Sequence, residues 1–292
     1  MLCVIGDLVE DIVVWLPESL NYGADTPSRI VRTRGGSASN VAVFAATVAR
    51  KETNQAASSR LIAQVGDDRL GDQLVGTLRD AGVDPCVVRS GRTGSIVVIV
   101  SPDGERTMIT DRAAATELDL APENWFENVS LLHVPGYSLF SEPLATATRS
   151  CITTAHEKNI PVTIDASSAS LILAYGVAKF RSLVAEIRPK IFFCNTDEAE
   201  VMNLTTQPLD LDIVVIKSGA RPTALIENKV VKMIEVEPVG EIIDTTGAGD
   251  AFAAGFLTKF SENNLDTYIS VLAGHQLAAR VLRSPGATMD TQ

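Results

Sequence analysis

Aromatic residues are scarce in this chain: Phe, Trp and Tyr together make up 5% of 292 positions. A pocket that grips its ligand by ring stacking would need much of that small supply, so the composition gives little encouragement to such a pocket. Histidine occurs only at 133, 156 and 275, without the spacing of metal ligands, and no H-E-x-x-H is present. Each histidine is read as structural. The four cysteines (Cys3, Cys86, Cys151, Cys194) stand far apart with no C-x-x-C, a usage that suits a reducing compartment and gives no zinc cluster. Basic runs are missing too, and 25 Lys and Arg against 36 Asp and Glu leave a net charge of −11. Nucleic acid and anionic membrane surfaces are therefore not expected partners, since both need clustered cations. No apolar run approaches the roughly 18 residues of a membrane span. The opening "MLCVIGDLVED" meets an acid at Asp7, too early for a signal peptide. A cytoplasmic location is expected. There is no G-x-x-x-x-G-K-[ST], no G-x-G-x-x-G after the first strand-like run and no G-x-S-x-G, which sets aside P-loop nucleotidases, ordinary dinucleotide folds and serine hydrolases.

What is present is an ordinary globular composition, 46% hydrophobic and 21% charged, in a chain long enough to bury a large core. "LCVIGD", "SLLHVPG", "PVTIDAS", "KIFFCN" and "DIVVIKSG" read as short buried strands. Helical patterns such as "EPLATATRSCITTAHEKN" and "AKFRSLVAEI" lie between them. Strand alternating with helix predicts an α/β fold, a mainly parallel sheet covered on both faces. Ligands of such sheets bind beyond the carboxyl ends of the strands. Asp7, Gly136, Asp165, Asn195 and Gly219 all fall where an apolar run gives out. Strand termination explains each singly; together they predict one ligand-facing edge.

Residues 86–112 break the alternation, with period-two strands around "SPDG", a hairpin turn signal. With parts of 12–34 they predict a small antiparallel sheet attached to a single domain spanning 1–292. It would serve as a lid over the ligand edge, an oligomer contact, or both. "KETNQAASSR" (51–60) reads as a surface loop.

Three stretches carry chemistry. In "RGGSASNVAVFAATVAR" (34–50), Gly35 and Gly36 open a helix of small residues with Asn40 one turn inside. It is either tight helix packing with an exposed Asn, or a backbone approach for a polar ligand that Asn40 hydrogen-bonds. In "FFCNTDEAEVM" (192–202), Asn195 ends a strand and Glu198 follows at a spacing that shares a helix face. That is a capping box, or a set of oxygens for the waters of a magnesium ion. In "IIDTTGAGDAF" (242–252), Gly247 and Gly249 make a tight turn into an alanine-rich helix, with Asp250 at its start. The N–H groups of a first helical turn attract anions. Asp250 is either a helix-end charge or a base beside a bound phosphate.

The glycine-pair helix, "NTDE" and "DTTGAGDAF", in this order along an α/β chain of this length, resemble the ribokinase / phosphofructokinase-B family of sugar and nucleoside kinases. The resemblance covers nearly the whole chain. It implies a ribokinase-like three-layer α/β/α sandwich whose lid includes 86–112, and transfer of the γ-phosphoryl of ATP to a hydroxymethyl group. Asp250 matches the family's base, and the backbone of Gly247, Ala248, Gly249 and Asp250 its anion hole. Asn195 and Glu198 match the pair that organises magnesium and phosphate. Lys217 and Gly219 fall on the nucleotide loop, where Pro222 replaces a glycine. Asp11, expected at the end of the loop after the first strand, matches the aspartate that grips substrate hydroxyls, beside Gly35, Gly36 and Asn40, while Asp7 holds the turn and Val9 replaces an asparagine of ribokinases proper. Asp244 and Thr246 begin a loop that in many members wraps a monovalent cation such as K⁺, with "RSPGA" (283–287) as its other wall. The implied cofactors are ATP and Mg²⁺, and the partner is a small sugar. A nucleoside kinase is the alternative within the class, with Tyr22, Tyr137 and Phe140 as candidate base-stacking residues. A non-catalytic sugar- or nucleotide-binding regulator is the alternative outside it.

Overall fold

Short apolar runs separated by amphipathic helices can bury themselves only by stacking in layers, and the computed structural model shows that solution for residues 1–53, 58–262 and 266–289. In chain order the first elements are β1 (Leu2–Ile5), β2 (Val9–Trp15), β3 (Arg29–Gly35), α1 (Ser37–Thr53), β4 (Ser59–Val65), α2 (Arg69–Asp80), β5 (Val83–Arg89), β6 (Thr93–Val100) and β7 (Arg106–Ala113). There follow β8 (Leu131–Pro135), α3 (Leu144–Glu157), β9 (Val162–Asp165), α4 (Ala169–Tyr175), α5 (Val177–Ile187), β10 (Ile191–Asn195) and α6 (Thr196–Val201). The chain continues through β11 (Ile213–Lys217), β12 (Thr223–Glu227), β13 (Val230–Ile234), α7 (Ala248–Glu262) and α8 (Thr267–Val281).

Nine strands form one sheet in the order β13-β12-β11-β10-β9-β8-β1-β4-β5. The run from β11 to β5 is parallel throughout, and β12 and β13 add an antiparallel hairpin. Strand side chains alternate between two cores. Val4, Leu61, Phe193 and Val215 face a cluster containing residues of α1, α2, α7 and α8. Ile5, Ile62, Phe192 and Val214 face one containing residues of α3, α4, α5 and α6. This is the three-layer sandwich. After β1 the chain winds outward to β4 and β5, then returns to the other flank of β1 with β8. The crevice beyond β1 and β8 is therefore the switch point where such folds bind ligands.

A second sheet has the order β3-β2-β6-β7. Its outer pairs are antiparallel, but the central pair, β2 with β6, is parallel. The Ser101–Glu105 turn closes the β6–β7 hairpin, as "SPDG" predicts. Two expectations need correction. Residues 86–89 belong to β5 of the large sheet, paired parallel with β4, so within 86–112 the small sheet takes up the chain only from Thr93; the alternation of "VVR" cannot say which sheet it joins. Residues 51–53 extend α1 and Ser59 and Arg60 begin β4, so the expected 51–60 loop is shorter, and its positions 54–57 lie outside the described residues. No helix among the described residues is long and apolar enough to cross a membrane.

Candidate active site

The carboxyl edge of the parallel strands brings together residues far apart in sequence. Asp7 follows β1, Gly136 follows β8, and Asp165, Asn195 and Lys217 end β9, β10 and β11. Gly219 lies two residues past β11, exposed, and Pro222 just precedes β12. α1 and α7 both begin at this edge.

Asp250 sits in the first turn of α7. Ser37 Oγ donates to one of its carboxylate oxygens at 2.7 Å and Asn40 Nδ2 to the other at 2.8 Å. Withdrawal from water pushes this carboxyl up to about 6, against the lowering pull of those two hydrogen bonds. Gly247 takes φ +76°, and a Cβ there would lie 2.8 Å from the Cβ of Ala287, so the turn needs glycine for backbone and space alike. Ala248 N–H closes a turn on Thr245 O at 3.3 Å. The N–H groups of Gly249 and Asp250 have no backbone acceptor among the described residues. The Gly247 N–H has no backbone acceptor among the described residues either, and these donors, at a helix start, form the candidate anion hole. Lys217 is close: a Cβ added at Gly249 would lie 3.5 Å from its Nζ. Nζ pairs with Asp165 at 2.5 Å. Burial would lower the Lys217 ammonium, yet the charges of Asp165 and Glu198 hold it above its ordinary value.

Asp11 lies within β2 of the small sheet, opposite Thr33, rather than in a loop after β1. Burial, reinforced by the charge of Asp7 and opposed by Arg34, pushes its carboxyl up to about 7. Gly36 has φ +98°, and a Cβ there would meet the Asp7 carbonyl at 2.5 Å. The Asp7 carbonyl accepts from Ser39 N–H at 3.3 Å, which ties the segment after β1 to the first turn of α1. Its carboxylate also faces Arg112 of β7 at 3.4 Å. Of the three aromatic candidates only Tyr137 reaches the site, under the Arg112 guanidinium. Tyr22 is exposed and Phe140 packs on Tyr175 and Phe180.

Asn195 and Glu198 form a full capping box. Asn195 Oδ1 accepts from Glu198 N–H at 2.8 Å, and the two Glu198 oxygens accept from Asn195 N–H at 2.8 Å and Nδ2 at 3.0 Å. Burial and the Asp165 charge push the Glu198 carboxyl up. No three His, Cys, Asp or Glu side chains cluster as a metal cage among the described residues. A magnesium ion that keeps its waters and rests on substrate phosphates needs only one or two carboxylates, so Glu198 fits an outer-sphere role. The Asp244–Thr246 pair fits a cation poorly. Arg106 of β7 donates to Asp244 at 3.1 Å and also to Thr246 Oγ1, while Thr246 N–H and Gly286 N–H occupy the Asp244 oxygens at 2.8 and 2.9 Å. Although burial raises Asp244, these donors together hold it below the usual carboxylate range. Its side chain already has its counter-charge, from the small sheet.

Sequence reasoning missed Ser37, Arg34, Arg106, Arg112 and the Asp165–Lys217 pair. Arg34 had one local signal, a charge directly before a glycine pair and a run of small residues. The others announce themselves only through contacts across the fold.

The pfkB family carbohydrate kinase pattern matches residues 1–292. A fructokinase of Salmonella typhimurium is 27% identical over 285 residues, covering 92% of this chain and 87% of its own. An adenosine kinase of Schizosaccharomyces pombe is 26% identical over 263 residues, covering 77% and 74%. Among solved structures, a candidate ribokinase II from Escherichia coli in complex with ATP and Mg²⁺ superposes with a TM-score of 0.82 at 18% identity, over 98% of this chain and 94% of that one.

Proposed function

The chain belongs to the pfkB family of carbohydrate kinases, and from that premise we propose that it moves the γ-phosphoryl group of ATP to a primary hydroxyl of a small sugar held between Asp11 and Asn40. It is a phosphotransferase with an alcohol acceptor. The observation that carries the residue roles is the Asp250 carboxylate, fixed at both oxygens by Ser37 and Asn40 beside the unpaired N–H groups of a helix start.

Phosphoryl transfer needs positioning and charge neutralisation more than covalent help. Asp250 takes the proton of the attacking hydroxyl as the new P–O bond forms and the bond from the γ-phosphorus to the bridging oxygen breaks, that oxygen leaving with ADP. The N–H groups of Gly249 and Asp250 bind the equatorial oxygens of the moving group, and Lys217 adds positive charge on the nucleotide side. Magnesium, when bound with ATP, neutralises phosphate charge; Glu198 would hold one of its waters. Asp11 accepts hydrogen bonds from sugar hydroxyls. The small sheet, whose Arg106 and Arg112 reach across to Asp244 and Asp7, acts as the lid and excludes water. Its exposed outer strands are also the face for pairing of two copies.

Nucleosides are the second acceptor class, favoured by the adenosine kinase relatives and by Tyr137. The polar lining (Asp7, Asp11, Asn40 and Arg112) with one aromatic ring favours a polyol. Coupled ADP release, measured with ATP and Mg²⁺ against pentoses, hexoses, their acids and nucleosides, decides. Turnover of no sugar in the panel would overturn the sugar reading, and rapid turnover of nucleosides alone would replace it.

A further inference from the structure

Arg34 is the last residue before the glycine pair, at the end of β3, and its side chain runs back under the first turn of α1. One of its terminal nitrogens, Nη1, donates to Asn40 Oδ1 at 2.7 Å and to Ser39 Oγ at 2.8 Å. The other reaches the carbonyl of Ala287 at 3.5 Å. Ser39 Oγ in turn donates to the carbonyls of Gly35 and Gly36, at 2.7 and 3.0 Å. Asn40, only 5% exposed, then donates through Nδ2 to Asp250. A continuous relay thus runs from Arg34 through the Asn40 amide to Asp250.

The polarity of this relay is forced. An arginine can only donate and an ionised carboxylate can only accept. An amide between them satisfies both in one orientation alone, oxygen toward Arg34 and nitrogen toward Asp250. An asparagine without such a neighbour can turn over and present its oxygen to the carboxylate, which repels it. We propose that Arg34 is a positioning residue for the transfer reaction: by locking the Asn40 amide it holds the Asp250 carboxylate in one orientation beneath the acceptor hydroxyl.

This proposal rests on the kinase reading for its consequence, but the relay itself does not. The geometry also explains why a cation is retained beneath a small-residue helix, where withdrawal from water lowers the guanidinium to about 10 and Asp11 and Asp250 supply compensating charge. The charged and titratable groups around Asp250 are Arg34 of β3, Asp11 of β2, Asp165 of β9, Lys217 of β11 and Tyr137 in the turn after β8. Of these only Arg34 reaches Asp250 through a hydrogen-bonded side chain.

The test uses the full chain with Arg34→Met, Arg34→Lys, Asn40→Ala and the Arg34→Met/Asn40→Ala double variant. The titration of Asp250 is followed by ¹³C NMR of labelled aspartate, assigned with Asp250→Asn, and the acid limb of kcat/KM is measured on whichever acceptor is turned over. Arg34→Met should raise both midpoints together, by roughly half a unit to one unit for the loss of a charge-assisted contact. Arg34→Lys should lie between Arg34→Met and the parent chain. In the Asn40→Ala background, Arg34→Met should add little. Folded variants with a lower rate but an unmoved acid limb and NMR midpoint would overturn the proposal, as would a full extra effect in the double variant. If Arg34→Met does not fold, Arg34→Lys and Asn40→Ala still decide, since parent-like midpoints in both contradict the relay. Should no acceptor be turned over, the NMR midpoints alone decide for or against the relay, and only the kinase reading falls.

Discussion

Gly35 lacks a side chain where Asp11 has its carboxylate: a Cβ built at Gly35 would overlap all three atoms of the Asp11 carboxyl group. The two residues lie diagonally across the β2–β3 pair, two residues out of register: Gly35 pairs with Val9 and Asp11 with Thr33. The glycine pair is therefore part of how the acidic residue is placed. Gly35→Ala should force Asp11 off its position, while the backbone at 35 accepts alanine without a positive φ. Loss of a well-aimed hydrogen bond to a charged group costs about 1–3 kcal/mol, so kcat/KM for the sugar should fall roughly five- to 150-fold with KM for ATP little changed. Adding Asp11→Ala to that variant should cost little more, because the contact is already gone. Steady-state kinetics of the four forms would show otherwise if the two losses simply multiply.

How much of this arrangement the sequence reveals depends on the range of the contacts. "DTTGAGDAF" is legible because its demands are local: a positive-φ turn at Gly247, small residues, and a carboxylate on a first helical turn. The strands are legible as apolar runs, and Asn195–Glu198 as a capping box. What escapes is whatever two distant segments make together. Arg106 meets Asp244 across 138 positions and Lys217 meets Asp165 across 52, and no spacing rule marks either pair. The same blindness placed Cys86–Arg89 in the small sheet and Asp11 in a loop, since period-two alternation states that a segment is a strand but not which sheet it joins.

Asp250→Asn keeps the shape of the side chain but removes its capacity to take a proton. Ser37 and Asn40 lose a charged acceptor, while the N–H groups of Gly249 and Asp250 remain to bind phosphate. A general base contributes about 10²- to 10⁴-fold, so kcat should drop at least ~100-fold with ATP affinity nearly constant. Turnover close to that of the parent chain would remove Asp250 from the reaction.

Glu198→Gln separates two roles that the geometry superposes. The capping box needs a side-chain acceptor for Asn195 N–H, which glutamine supplies with one oxygen instead of two. A modest loss of stability is expected, on the order of 1 kcal/mol. If the carboxylate also holds a magnesium-bound water, the magnesium concentration for half-maximal rate should rise as well. A lower Tm with an unshifted magnesium curve would confine Glu198 to the cap.

The last prediction concerns pH and uses Asp11, whose carboxyl is raised from 3.8 to about 7 by burial and by the charge of Asp7. The folded chain therefore binds this proton more tightly than the unfolded chain does. That preference stabilises the fold fully below the unfolded value near 4 and is lost as pH rises through about 7, where the buried carboxylate must ionise. Asparagine fills the same space and never ionises. Asp11→Asn should thus exceed the parent's Tm slightly at pH 5, where about one of the three units is already lost, and clearly at pH 8. Three units would amount to about 4 kcal/mol at ~1.4 per unit. Screening through the open side of the pocket reduces the expected gain to on the order of 2 kcal/mol, a Tm rise of about 4–8 °C at roughly 2–4 °C per kcal/mol. The same variant should be a poorer kinase at pH 8, where the sugar loses a charged acceptor and keeps only one amide oxygen in place of two carboxylate oxygens. Calorimetry at pH 5 and pH 8 checks the sign: a parent chain more stable than Asp11→Asn at pH 8 would mean that Arg34 pairs with an ionised Asp11 strongly enough to outweigh its burial.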